Sequence, residues 1–270
     1  MKMTDYPAIK EFTEDHIMIV DGNGGTKKIT IADAILAALH MTSPTNHRLV
    51  FRGKNLGTVV TTEQLAAIQA GTFEGLWLGD YWVINGINWR IADFDYWYGK
   101  GDTKCTKHHV VIMPDSSLFF GKMNASGTTG GYVGSTMYTA SMAEIKATVA
   151  SAFGDNVVSH REYLVNGVTS GRPTSMAWCD STVELANEYM MYGHPHFRAA
   201  DNTTGTGLTG TIDNTQLALF NAKPEYIYLK STWLRDVVSA EKFAGIHENG
   251  GHFAYNADWE MGTRPVFAIG

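Results

Sequence analysis

The chain has 270 residues and a formal net charge of −6, with 44% hydrophobic and 18% charged residues. This length allows one large domain, or one domain with a small module, and supplies enough apolar residues for a core. The acidic balance argues against a nucleic-acid partner, because a face that binds phosphates is rich in lysine and arginine. We also expect no membrane insertion and no export by a signal segment, since neither kind of apolar run is found.

Residues 1–48 are predicted to form a small ββα module followed by a linker. The sequence DGNGG at residues 21–25 is a turn sequence between two short strands. Thr30, with Asp33 three residues later, resembles a capping box at the start of a helix. The polar segment 40–47 contains a proline and is predicted to be the linker. A module of this size buries little apolar surface alone, so we expect it to bind a partner chain or an anchoring surface.

Residues 49–270 are predicted to be an α+β domain with short antiparallel strands, two or three helices and long loops. Thr61 and Gln64 form a capping-box pattern for a helix that ends at Gly71. Asn85-Gly86 is a hairpin turn between two strands, and the last strand is expected to pair with the first. The other predicted elements are a strand in HHVVIMP, helices that start at Ser141, at Asp180 or Ser181 and at Asp213, and strands on either side of residues 241–260.

No catalytic or metal-binding motif stands out, and we predict no catalytic residue, metal or cofactor. Cys105 and Cys179 are too few for a disulfide framework; they are interpreted as ordinary thiols, one disulfide, or a redox or metal pair. His194 and His196 offer two imidazoles, but no third ligand lies at a recognisable spacing. The aromatic run 77–98 is interpreted as core, with a sugar-stacking platform as the alternative.

The segment 241–260 differs from the rest because its polarity follows neither a period of two nor one of 3.6. Tyrosine, tryptophan and asparagine on loops of a rigid scaffold are typical of binding surfaces; a plain surface loop with a few buried rings is the alternative. Tyr255 and Trp259 are expected to anchor a ligand, since binding hot spots favour these residue types. The predicted ligand-binding residues are Glu241, Lys242, His247, Asn249, His252, Tyr255, Asn256, Asp258, Trp259 and Glu260.

The strands that flank this segment are predicted to pair with each other in the sheet beneath it. Residues 233–235, Trp-Leu-Arg, lie on the first strand, and residues 264–269 form the second. Trp233, Arg235 and Arg264 are expected to be structural, with the two guanidinium groups bonded to backbone carbonyls or to an acidic partner.

The order of the motifs resembles phage and gut-bacterial proteins with a C-type-lectin-like fold. That fold is shared by formylglycine-generating enzymes and by the variable proteins of diversity-generating retroelements. The resemblance covers residues 51–270, while residues 1–48 look like the start of phage virion proteins. It rests on the sequences LGDYWVINGINWRI, GGYVGSTMY, DSTVELANEYMMYG, STWLRDVV and GTRPVFAIG.

The resemblance implies a receptor-binding protein on a phage particle, a homotrimer that binds a host cell-surface protein or glycan. Its small N-terminal module would contact other virion proteins, and segment 241–260 would be diversified at adenines. The alternatives are a structural head-decoration or fibre protein, and a sulfatase-modifying-like or carbohydrate-active enzyme. The calcium-dependent sugar motifs of C-type lectins are missing, and Cys105 and Cys179 do not match the oxidase cysteines in place. Neither of those activities is therefore expected.

Overall fold

The helices in the described part of the chain are short, and they combine with mostly antiparallel sheets in an α+β arrangement, as expected. The computed structural model describes residues 17–20, 27–30, 44–197, 215–227 and 231–270. The helix predicted after Thr30 and the helix start predicted at Asp213 lie outside these ranges. The described helices are α1 Pro44–Leu49, α2 Thr62–Gln69, α3 Met142–Phe153, α4 Glu188–Tyr192 and α5 Ala218–Ala222.

The described strands form two five-stranded sheets and two hairpins. They are β1 Ile17–Val20, β2 Lys27–Thr30, β3 Tyr81–Ile84, β4 Ile87–Phe94, β5 Val110–Pro114, β6 Phe119–Gly121, β7 His160–Thr169, β8 Arg172–Ser181, β9 Val183–Leu185, β10 Thr232–Val237, β11 Lys242–Ile246, β12 His252–Asn256, β13 Met261–Thr263 and β14 Pro265–Ile269. Sheet I has the order β3-β4-β5-β14-β9 and is antiparallel. Sheet II has the order β12-β11-β10-β13-β6, in which β10 and β13 are parallel. The hairpins are β1-β2 and β7-β8.

Local signals in the sequence locate several elements correctly. The Thr61 hydroxyl accepts a hydrogen bond from the Gln64 backbone N–H at 3.2 Å, and the Gln64 side chain accepts one from the Thr61 N–H at 3.0 Å. This capping box starts α2. Asn85 and Gly86 both have positive φ angles, 53° and 75°, which is the backbone of a tight hairpin turn between β3 and β4.

The aromatic run between residues 77 and 98 is core, as interpreted from the sequence. Trp89 is fully buried, and its ring packs edge-on against Phe153 at 5.3 Å and against Phe267 at 5.6 Å. These contacts join β4 to α3 and to β14. Burying one large apolar side chain of this kind stabilises a fold by about 1.5–3 kcal/mol, so the run anchors sheet I.

Of two helix starts predicted here, the one at Ser141 is confirmed in position, since α3 begins directly after it at Met142, and the one at Asp180 or Ser181 is wrong. Ser141 makes no capping hydrogen bond, because a π-helical turn at Met137–Ser141 runs directly into α3. No helix starts at Asp180 or Ser181, since β8 ends at Ser181 and β9 pairs with β14. The helix begins only after Asn187, whose side chain accepts a hydrogen bond from the Met190 N–H at 2.8 Å. Pairing with a strand distant in sequence overrides the local pattern here.

The segment predicted as a linker contains α1 from Pro44 onward and packs onto the following residues. His47 is 1% exposed, and its Nδ1 lies 2.7 Å from the Leu76 carbonyl oxygen. Arg48 donates to the Asp93 carboxylate at 3.0 Å. Residues 44–48 therefore lie against the domain that was expected to begin at residue 49, and the linker interpretation of 44–47 is wrong.

The two strands around segment 241–260 do not pair with each other, contrary to the prediction. Residues 233–235 lie in β10 of sheet II, whereas residues 265–269 form β14 of sheet I between β5 and β9. The last strand therefore also does not pair with β3, the first strand of sheet I. Thr232 pairs instead with Gly262 of β13, which precedes β14 directly. The chain changes sheets between β13 and β14, a step that has no signature in local periodicity.

Arg264 occupies the position where the chain changes sheets. It is 3% exposed and donates to the backbone carbonyls of Pro114 and Tyr226, both at 3.0 Å. Burial lowers the pKa of this guanidinium to about 10. Carbonyl partners are what the sequence predicted for this arginine, and they fix the path from sheet II to sheet I.

Arg235 forms a buried ion pair with Glu162, the acidic type of partner that was expected. Their Nη2 and Oε2 atoms are 2.7 Å apart, and the Trp97 indole N–H donates to the other carboxylate oxygen at 3.2 Å. Burial alone would raise the pKa of Glu162, but the nearby Arg235 charge and the contact with His160 outweigh it and lower this pKa. The ion pair links the β7-β8 hairpin to sheet II.

We expect Arg235→Met to destabilise the protein by about 3–5 kcal/mol, because Glu162 would be left buried without its countercharge. The double variant Glu162→Gln, Arg235→Met should lose clearly less, since neither charge remains. Urea unfolding followed by circular dichroism measures both free energies. If Arg235→Met were as stable as the wild type, the ion pair with Glu162 would not stabilise the fold.

His109 is a fully buried, neutral histidine beside the same core. Its Nε2 accepts a hydrogen bond from the Trp97 backbone N–H at 3.1 Å, and its Nδ1 lies 2.8 Å from the Lys107 carbonyl. These partners require a proton on Nδ1 and none on Nε2. Burial lowers the pKa of His109 to about 4, below its ordinary value of 6.5.

The free energy of unfolding should therefore fall as the pH drops from about 6.5 to 4, because the unfolded chain binds a proton that folded His109 does not. The full contribution of this residue is about 3 kcal/mol. Urea unfolding across this pH range measures this contribution. In His109→Gln, the slope of the free energy of unfolding against pH should correspond to about one bound proton fewer. Equal slopes for variant and wild type would show that His109 does not control the pH dependence.

Candidate functional site

The predicted binding segment is a hairpin at one edge of sheet II. Strands β11 and β12 pair in antiparallel register, with Phe243 opposite Tyr255 and Gly245 opposite Phe253. The segment is therefore largely regular although its polarity follows no period, and Gly245 lies inside β11. A Cβ at this position would lie 2.8 Å from the Tyr255 ring and 3.0 Å from the Thr232 carbonyl. Glycine here lets the tyrosine ring lie across its neighbouring strand.

The turn between β11 and β12 is held by its own hydrogen bonds. The His247 N–H donates to the Gly251 carbonyl at 2.8 Å, and the Asn249 side chain accepts from the Gly251 N–H at 3.0 Å. The Tyr192 hydroxyl, from α4, donates to the Gly250 carbonyl at 3.0 Å. Asn249 is exposed, but its carboxamide oxygen stabilises the turn.

Three aromatic rings form one wall of an open depression of about 440 Å³, here called the aromatic depression. Phe253 and Trp259 are 47% and 51% exposed, while Tyr255 between them is 6% exposed. The Tyr255 ring lies 4.8 Å from that of Phe253 and 5.6 Å from that of Trp259. The lining residues are Ser231, His247, Glu248, Phe253, Tyr255, Trp259, Glu260 and Met261.

A second depression of about 400 Å³, here called the acidic depression, lies at the other end of β12. Its position is set by hydrogen bonds from the Asn124 N–H to the Ala257 carbonyl at 2.9 Å and from the Thr128 hydroxyl to the Ser239 carbonyl at 2.7 Å. These bonds bring a distant loop beside the hairpin. The lining residues are Ser126, Gly127, Glu241, Asn256, Ala257 and Asp258.

His252 is separated from the aromatic depression, because alternation along β12 directs it away from Phe253 and Tyr255. Its ring packs on Tyr192 at 3.6 Å, and His196 and His194 follow at 4.8 and 5.4 Å. Burial, together with the two neighbouring histidines, lowers the pKa of His252 to about 4. Among the described residues, no group of three or more His, Cys, Asp or Glu side chains is arranged to hold a metal ion.

The structure therefore divides the predicted ligand-binding residues into separate groups. His247, Tyr255, Trp259 and Glu260 line the aromatic depression, while Glu241, Asn256 and Asp258 line the acidic one. Tyr255 was expected as an exposed anchor, but it is mostly buried because its position on β12 directs its ring over β11. Lys242, Asn249 and His252 line neither depression.

The predicted ligand-binding residues omit seven residues that line these depressions, among them Phe253, Glu248, Ser126 and Ser231. Phe253 and Glu248 lie inside segment 241–260, and the spacing of Phe253 two positions before Tyr255 is a strand signal that indicates one shared face. Ser126 and Ser231 reach the surface through folding of distant segments. No local pattern points to them.

Trp233 supports the hairpin from below, as expected for a structural residue. It is 1% exposed, and its indole N–H donates to the Gly121 carbonyl at 2.8 Å. The ring of Tyr255 meets it edge-on at 6.0 Å. Tyr255 thus joins the core at one side and the aromatic depression at the other.

The two cysteines form no disulfide in the described part of the chain. Cys105 and Cys179 are free thiols, and burial raises the pKa of each. Of the three interpretations that the sequence left open for these cysteines, the structure fits ordinary thiols. A search of the helices in the described ranges finds none with the length and apolar character needed to span a membrane.

We expect Tyr255→Ala and Trp259→Ala to differ sharply in stability. Tyr255 is nearly buried, so its truncation should cost about 3 kcal/mol, whereas the half-exposed Trp259 should cost less than about 1 kcal/mol. Thermal and urea unfolding measure both, with the exposed Glu144→Ala on α3 as the control. If Trp259→Ala proved as damaging as Tyr255→Ala, its ring would belong to the core rather than to the surface.

No family model, curated protein or solved structure matches this chain. The arrangement of the two depressions on the β11-β12 hairpin is therefore the basis for assigning a function.

Proposed function

We propose that this chain is the receptor-binding protein of a phage particle and that residues 49–270 form a C-type-lectin-like domain. The observation that carries the proposal is the position of segment 241–260. It forms an edge hairpin that exposes Asp258, Trp259 and Glu260, while β13 and β14, which follow, are buried. Side chains of this surface can therefore change while the strands of the core stay the same.

The finer fold is proposed from two observations that agree. The motifs occur in the order expected for a C-type-lectin-like domain, and the described strands form short, mostly antiparallel sheets with few helices. The chain returns to an inner position of sheet I with β14, which lies between β5 and β9, so the segment just before that strand is anchored at both ends. An anchored but exposed segment is suited to recognition.

The size of the two depressions supports a modest affinity for each copy. A half-exposed tryptophan beside polar side chains is typical of a binding hot spot. In a homotrimer displayed many times on a particle, avidity would raise the apparent affinity by about 10²–10⁴. Modest single-site binding is therefore compatible with firm attachment to a host cell.

The proposal predicts that the purified chain blocks adsorption of the parent phage to its host cells. Trp259→Ala and Asp258→Ala should each weaken this block by about tenfold or more, because truncation of a hot-spot residue costs about 2 kcal/mol or more. Their melting temperatures should stay within a few degrees of the wild type. Glu144→Ala, an exposed change on α3, should block adsorption as well as the wild type does.

Two other results would replace the proposal. If neither the wild type nor the variants block adsorption, but particles that lack the chain are less stable, the chain is a structural decoration or fibre protein. If the chain converts a sulfatase-type peptide or a glycan, it is an enzyme. Either result would overturn the receptor-binding function.

A further inference from the structure

The aromatic depression combines exposed rings with unpaired carboxylates. The rings of Phe253 and Trp259 expose about half of their surface to solvent. Glu248 and Glu260 line the same depression and are exposed, and within the described ranges neither forms an ion pair. Both carboxylates are therefore available to a ligand that enters beside the rings.

Positive side chains are missing from this lining. Of the described residues around the aromatic depression, none is lysine or arginine, and His247 is the only histidine. The neighbouring acidic depression adds Glu241 and Asp258, again without a lysine or arginine in its described lining. The described linings therefore carry a negative charge, which attracts cations and repels sulfated, phosphorylated or sialylated ligands.

A buried hydroxyl provides a second, independent indication of a ligand. Tyr255 is 6% exposed and lines the aromatic depression, and its hydroxyl lies near Ser231 without the geometry of a hydrogen bond. A buried polar atom without a partner costs about 1–3 kcal/mol. A ligand donor would remove that cost, and it reaches this oxygen only where the surrounding side chains move apart, since the hydroxyl has almost no exposed surface.

These features match the chemistry of an arginine or lysine side chain. Cations bind over the faces of tryptophan, tyrosine and phenylalanine rings, and arginine does so most often. The guanidinium group carries five N–H donors, which suit two carboxylates and a phenol oxygen together. A neutral sugar would use the ring faces but would leave the negative charges of Glu248 and Glu260 uncompensated.

We propose that the aromatic depression binds an arginine or lysine side chain presented by a polypeptide partner, with the cationic group between the rings and the carboxylates of Glu248 and Glu260. The inference rests on the proposed function in taking that polypeptide to be the host receptor. It narrows the receptor from a protein or glycan to a protein with an exposed basic residue.

The test is a titration with acetyl-Gly-Arg-Gly-amide, followed through the indole ¹H–¹⁵N signal of Trp259. Trp259→Phe assigns that signal. The matched peptide with citrulline in place of arginine has nearly the same shape but no charge. We expect the arginine peptide to shift the signal, and the citrulline peptide to bind at least about fivefold more weakly.

Glu248→Gln and Glu260→Gln should each weaken binding of the arginine peptide by about threefold or more, and added salt should weaken it further. Glu144→Gln, which changes the net charge equally at a distant exposed site, should have no such effect. Equal binding of both peptides, or no effect of either glutamine variant, would overturn the inference. So would a shift of the Trp259 signal by methyl α-mannoside but not by the arginine peptide.

The peptide titration and the adsorption test can fail independently. If the arginine peptide does not bind while Trp259→Ala still weakens the block of adsorption, the cationic ligand is wrong and the receptor-binding function stands. If the arginine peptide binds as expected while adsorption is unaffected, the depression recognises cations and the receptor-binding function is wrong.

Discussion

The ion pair between Glu162 and Arg235 is the interaction on which the arrangement of the β units depends. Glu162 lies on β7, Arg235 lies on the central strand of sheet II, and Trp97, which donates to the same carboxylate, follows the last residues of β4 in sheet I. One buried carboxylate therefore joins three units. Removing a charge pair from water costs several kcal/mol per ion, so this geometry persists only because both oxygens of the carboxylate have partners.

The position of the binding surface follows from that arrangement. Strand β10 carries Arg235, and it pairs with β11, which in turn carries β12 at the edge of sheet II. Trp233, on β10, also supports Tyr255 from below. The exposed rings and carboxylates therefore stand on a strand whose place is set by buried contacts, and their own side chains contribute little to holding it there.

Local physical signals in the sequence predict elements whose partners are near in the chain. The capping box at Thr61 and the turn at Asn85-Gly86 depend on residues three positions apart or fewer, and both are present. Residues 183–185 look helical by composition, but pairing with β14 makes them a strand. The buried position of His47 likewise depends on a carbonyl 29 residues away, which no local pattern reveals.

In the candidate site, too, the sequence predicted the features that depend on neighbouring residues and missed those that depend on distant ones. Trp259 and Glu260 follow the turn that ends β12 and are exposed, as the sequence analysis expected of a binding surface. Tyr255 and His252 lie on a strand, so the alternation of its faces decides their surroundings. Because the segment reads as irregular, the sequence analysis assigned no faces to it. Ser126 reaches the surface from a distant loop and had no signal at all.

Gly245 has a consequence for how this surface can evolve. Any side chain at this position would collide with the Tyr255 ring and with the backbone of β10, as long as the tyrosine stays. The backbone contact remains even if Tyr255 is replaced by a smaller residue. Position 245 therefore requires glycine whatever residue stands at 255, whereas Gly245 sets no steric limit on a smaller residue at 255. A lineage that varied both positions freely would lose most of its combinations to misfolding, so a productive mutational repertoire leaves codon 245 untouched.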